Sequence, residues 1–114
     1  MEVPASFDPQ RRAAHGFPMS KPLSAEEITT AQAALPGWSW QREVLVKTFT
    51  FGSFREAMSF MARIAFEAEE LNHHPDWSNV YNRVSIRLTT HDAGDRVTAK
   101  DVDLATRIER IAWV

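Results

Sequence analysis

The chain contains no cysteine, which excludes disulfide bonds, thiolate nucleophiles and cysteine-based zinc sites. It has no apolar run near the roughly 18 residues that a membrane span needs, and no secretory signal is visible. The expected setting is therefore cytoplasmic. Basic residues number 13 against 15 acids, a formal net charge of −2, and the two signs are interspersed. Without a basic block to release counterions, nucleic acid is not an expected partner. No G-x-S-x-G, Walker A or G-x-G-x-x-G pattern occurs, so hydrolase, NTPase and dinucleotide-binding readings lack support.

The 114 residues, 44% of them hydrophobic and 11% aromatic, suffice for one domain with its own core. Residues 1–20 carry three prolines and no sustained period, and read as a flexible N-terminal tail. His15 lies in it and is assigned no role. Met19 opens a segment that reads like a natural start, and residues 21–114 form the expected domain.

Three hydroxyl–acid pairs mark helix starts: Ser24 with Glu27, Ser53 with Glu56, and Thr98 with Asp101. In the first two the hydroxyl caps the third amide and the glutamate reaches back, a capping box; aspartate makes the third a shorter, weaker version. Helix one is expected over 25–35, ending at Pro36-Gly37. Helix two is expected over 54–71, with Phe54, Met58, Met61, Ala65 and Ala68 as its apolar stripe, widened by Phe60, Ile64 and Leu71. Helix three is expected over 99–113, with Leu104, Ile108 and Ile111 on one face. Between helices one and two, alternation predicts two strands joined tightly at Arg42-Glu43. Between helices two and three, a short strand over 77–81 precedes a half-buried one carrying Val84, Ile86 and Leu88, the connection falling near Asn82-Arg83. The order α-β-β-α-β-β-α, with hairpins rather than crossovers, implies an α+β fold: a four-stranded antiparallel sheet with three helices on one face.

The segment NHHPDW, residues 72–77, ends helix two with His73, His74 and Pro75. Proline holds the preceding residue extended, so the two histidines sit on a stiff junction. His91 lies at the far end of the following hairpin, which can return it toward the junction, and Glu69 lies one helical turn before His73. Imidazoles titrate near neutrality and serve both proton donation and removal. Metal binding is the rival chemistry, but adjacent side chains on an extended segment point apart and no H-E-x-x-H occurs. Ordinary roles, a helix cap, a half-exposed ring and a strand end, fit the spacing as well, and spacing alone leaves the choice open.

The run EELNHHPDWSNVYNRVSIRLTTH followed by Asp101 resembles the pterin-4a-carbinolamine dehydratase family. Glu69, His73, His74, Pro75, Tyr81, His91 and Asp101 occupy every element of that family's pattern, and the resemblance covers about residues 22–113. It implies dehydration of 4a-hydroxytetrahydrobiopterin to quinonoid dihydropterin, in recycling of the tetrahydropterin used by aromatic amino-acid hydroxylases, with no metal or other cofactor. It implies His73 and His91 as the acid/base pair, His74 orienting the pterin, and Glu69 supporting a histidine or the substrate. Trp77 and Asp101 are further candidates for substrate contact; sheet packing for Trp77 and support of helix three for Asp101 are their alternatives. The resemblance also implies a homodimer or homotetramer. Relatives that act as transcription coactivators or assembly modules supply the second hypothesis, a non-catalytic interaction protein, which has no physical need for the complete histidine set.

Overall fold

The computed structural model describes residues 21–113; the tail expected over 1–20 lies outside them. The described chain runs α1 (Ala25–Ala34), β1 (Ser39–Gln41), β2 (Val44–Thr50), α2 (Phe54–Leu71), β3 (Asp76–Val80), β4 (Arg83–Leu88), a 3-10 turn (His91–Ala93) and α3 (Ala99–Arg110). This is the expected α+β order.

Capping explains the helix starts. Ser24 and Glu27 form a reciprocal box at α1. At α2, Ser53 Oγ accepts from the Glu56 amide, but the Glu56 carboxylate accepts from the Gly52 amide instead, at 2.6 Å. At α3 the aspartate version closes fully: the Thr98 amide donates to Asp101 Oδ2 at 2.8 Å, and Thr98 Oγ1 accepts from the Lys100 amide. The expected aspartate version of the box is thus present at α3. Helix α3 stops three residues short of the expected Trp113. Beyond its end, the Arg63 guanidinium donates to the Ile111 and Trp113 carbonyls, at 2.5 and 2.7 Å, and lies over the Trp113 ring.

The sheet order is β1-β2-β4-β3, antiparallel throughout. Leu45 and Phe49 of β2 and Val84, Ile86 and Leu88 of β4 are buried, while Thr48 and Ser85 meet on the opposite face at 3.1 Å. That period-two alternation leaves one sheet face for the helices and one for solvent. Both hairpins have two-residue loops. Arg42 and Glu43 take φ of 51° and 65°, the paired left-handed conformation whose twist suits a tight hairpin. The second loop is Tyr81-Asn82, one residue earlier than expected, with Tyr81 at φ 53°. Asparagines stand in for glycine there: Asn79 Nδ2 donates to the Tyr81 and Arg83 carbonyls, and Asn82 Nδ2 to that of Phe51.

The buried face of α2 is Ala57, Phe60, Ile64 and Ala68: Phe60, Ile64 and Ala68 belong to the expected apolar face, Ala57 joins it, and Met61 and Leu71 are partly buried beside it. Phe54 is 49% exposed and Ala65 is also exposed. The helix carries two adjacent apolar seams, and packing against Phe49 and Phe51 of the sheet, with ring centroids 4.8 and 4.9 Å from Phe60, selects between them. Leu104, Ala105 and Ile108 of α3 complete the core.

Candidate active site

Helix α2 ends in the sequence NHHP for a local reason. Asn72 adopts the left-handed conformation, φ 50° and ψ 43°. Its amide donates to the Glu69 carbonyl at 3.1 Å, and the His73 amide donates to that of Ala68 at 3.0 Å. This pair of bonds is the Schellman termination, with asparagine in the place glycine usually takes. It fixes the backbone of His73 against the helix end before any side-chain contact forms. Pro75 then sends the chain into β3.

Two neighbouring histidines receive opposite environments from this junction. The His73 side chain is 10% exposed, and its Nε2 lies 2.5 Å from Oδ1 of Asp101, which has no exposed surface. The other oxygen of Asp101 accepts from the Thr98 amide and from Thr90 Oγ1, each at 2.8 Å, and the two threonine hydroxyls meet at 2.6 Å. His74 is 60% exposed, and its Nε2 lies 3.0 Å from Oε1 of Glu69. His91 opens the 3-10 turn after β4, is 92% exposed, and pairs through Nδ1 with Asp95 at 3.2 Å. No hydrogen bond joins one of these histidines to another among the described residues. His91 nevertheless follows directly on Thr90, so both ends of the motif converge on Asp101.

The expected site residues thus fall into three histidine–carboxylate pairs. Sequence reasoning places Glu69 beside a histidine, which in the fold is His74. It does not single out Thr90, Thr98 as a hydroxyl donor, or Asp95. The Thr98–Asp101 capping spacing was the only readable signal for the buried network. Asp101 has both oxygens engaged inside the protein, so its contact is with His73 and not with solvent. Trp77 is partly buried against the core on the edge strand β3, opposite Ile86. The described residues hold no group of three metal-ligating side chains. None of their helices is long and apolar enough to cross a membrane.

Outside this group, Glu43 of the first hairpin makes a two-pronged ion pair with Arg96, at 2.7 and 2.8 Å. The Arg96 hydrogen bonds hold the Glu43 carboxyl below its ordinary range and raise the guanidinium above its own. The Arg96 carbonyl accepts from the Thr90 amide at 2.9 Å, so this pair anchors the backbone beneath the buried network.

Fold and site together define an α+β domain with two histidine–carboxylate pairs at one helix–strand junction and a third on the turn after β4. The family model described as pterin 4 alpha carbinolamine dehydratase matches residues 21–111. A candidate pterin-4-alpha-carbinolamine dehydratase of Opitutus terrae is 63% identical over 92 residues, 81% of this chain and 95% of its own length. A candidate of the same description from Rhodopseudomonas palustris is 51% identical, covering 82% and 94%. Among solved structures, a transcriptional coactivator/pterin dehydratase from Brucella melitensis superposes with a TM-score of 0.77 at 39% identity, covering 81% and 99%. A pterin dehydratase-like RuBisCO assembly factor of the alpha-carboxysome superposes at 0.55 with 24% identity, covering 66% and 86%, and shares the fold. The chain belongs to the pterin 4 alpha carbinolamine dehydratase family.

Proposed function

We propose that this protein eliminates water from 4a-hydroxytetrahydropterin to give quinonoid dihydropterin, acting in tetrahydropterin recycling beside an aromatic amino-acid hydroxylase. The observation that carries the reading is the tandem pair at the helix end: one imidazole buried on Asp101, the next open to solvent on Glu69. The reaction needs a proton delivered to the C4a hydroxyl, which then leaves as water, and the N5 proton removed as the C=N bond forms. Imidazoles supply both transfers near neutrality without metal or cofactor. His73 and His91 are the acid/base pair. His74 orients the pterin, and Glu69 holds the His74 ring through its 3.0 Å contact with Nε2. Trp77 walls the site, and Asp101 acts from behind His73. A homodimer or homotetramer accompanies this reading; the exposed Phe54 and Phe66 of α2 and Val80 and Tyr81 beside strand β3 support it.

The test is a coupled assay. A hydroxylase generates the 4a-hydroxy adduct, and its decay is followed by ultraviolet absorbance with substoichiometric protein. Faster decay, lost in the His73→Ala/His91→Ala variant, is the expected result. The second reading is a protein-assembly or coactivator module, favoured by the descriptions of the two structural neighbours. Folded protein that leaves the decay unchanged overturns the dehydratase reading and shifts the choice to that module, whose protein partner is then to be sought.

A further inference from the structure

The buried network has a direction that follows from counting protons. As a carboxylate, Asp101 only accepts. The single proton of Thr90 Oγ1 goes to Asp101 Oδ2 at 2.8 Å. Thr98 must then be the donor in the 2.6 Å contact between the hydroxyls, and its oxygen accepts in turn from the Lys100 amide. The Thr98 amide also points at Asp101 Oδ2. Two donors, Thr90 Oγ1 and the Thr98 amide, therefore converge on one carboxylate oxygen, leaving Oδ1 for His73 Nε2.

We infer that this threonine chain orients Asp101 so that His73 is held with its proton on Nε2, presenting unprotonated Nδ1 as the atom that meets substrate. Thr90 is the positioning residue of the arrangement. Nδ1 has no hydrogen-bond partner among the described residues, which contain no fully buried side-chain nitrogen or oxygen without one. Nδ1 thus opens through the small exposed part of the ring. The backbone holding Thr90 is itself tied, through the Arg96 carbonyl and the Arg96–Glu43 pair. The neighbouring strap ties Thr98, with Pro22 bridged to Thr98 and the Leu23 amide donating to the Val97 carbonyl.

The arrangement predicts a particular outcome for Asp101→Asn. Two donors still face the Oδ2 position, so the carboxamide oxygen must lie there and its NH2 must face His73. Nε2 then becomes an acceptor and the ring proton moves to Nδ1. The wrong nitrogen is presented, and turnover falls by roughly 10² or more in a folded protein.

The experiment is two-bond 1H–15N correlation spectroscopy of histidine-labelled protein at a pH where imidazole is neutral, with His73 assigned through His73→Gln. The Nε2–H tautomer is expected in the native protein and the Nδ1–H tautomer in Asp101→Asn. In Thr90→Val the carboxylate loses a donor and binds His73 more strongly, so the Nε2–H proton resonance moves downfield; Thr90→Ser returns it. A native Nδ1–H tautomer, or no change of tautomer in Asp101→Asn, overturns the orientation. An unmoved resonance in Thr90→Val removes Thr90 from it. The native spectrum needs no variant to fold. The activity part rests on the dehydratase reading, and the spectra decide the tautomer even where the coupled assay shows no turnover.

Discussion

His74 Nε2 lies 3.0 Å from Glu69 Oε1, and both side chains remain mostly in solvent, although the adjacent His73 is buried. Consecutive residues thus place one imidazole against a buried carboxylate and the next against an exposed one. The exposed pair is weak as a structural element, because solvent screens it.

Glu69→Gln should accordingly change stability by less than about 0.5 kcal/mol while lowering kcat/KM roughly three- to tenfold, the effect of a supporting group rather than a proton carrier. Urea melts paired with the coupled assay measure both. A loss as large as that of His73→Ala would make Glu69 an acid or base in its own right.

His73→Ala and His91→Ala should each reduce turnover by roughly 10² or more. If the two serve opposite stereoisomers at C4a, each single variant retains activity on one of them and the double variant loses both. Assays on the resolved isomers distinguish this from a shared role. A folded double variant with full activity would refute the acid/base assignment.

Asn72→Ala should destabilise the protein by about 1 kcal/mol, because alanine resists the left-handed backbone that the Schellman termination needs. Asn72→Gly meets no such penalty and should stay within about 0.5 kcal/mol of the native chain. Thermal melts decide. Equal effects from the two substitutions would show that the Asn72 side chain, not its backbone, matters.

The Glu43–Arg96 pair predicts a pH dependence. Hydrogen bonds from Arg96 lower the Glu43 carboxyl in the folded chain, so its contribution is present above the unfolded value and is lost as pH falls through the folded one. Glu43→Gln should therefore lower Tm near neutrality at low salt. The difference from the native chain should shrink as pH falls through the depressed folded value, where the native carboxyl is protonated too. A constant difference across that range would mean that the hairpin responds to shape and not to charge.

Much of the fold was legible because it rests on local rules. Helix α2 has the expected bounds because Ser53 caps one end and Asn72-His-His-Pro stops the other. Arg42-Glu43 was readable as a turn from the alternation around it, without glycine or asparagine to mark it. The apolar face of α2 was legible at Phe60, Ile64 and Ala68, but not in the exposure of Phe54 and Ala65 or the burial of Ala57; only contact with the sheet sets the edges of the buried face. Helix α3 ends at Arg110, earlier than the expected Trp113, and the carbonyls beyond it at Ile111 and Trp113 accept from Arg63, a contact 48 residues away in sequence that no local signal shows.

The sequence by itself determined the order of elements, the stiff junction carrying His73 and His74, and the family. Each depends on residues within a few positions of one another, or on a spacing pattern. Tertiary structure alone decided which histidine is buried and what stands behind it. His73 and Asp101 are 28 residues apart and Thr90 lies between them on a different element. Only when α3 packs against α2 and β4 does the carboxylate that caps one helix reach the imidazole that ends another. The capping spacing names Asp101 as a helix start; the burial that gives its second oxygen to His73 comes from the assembled core.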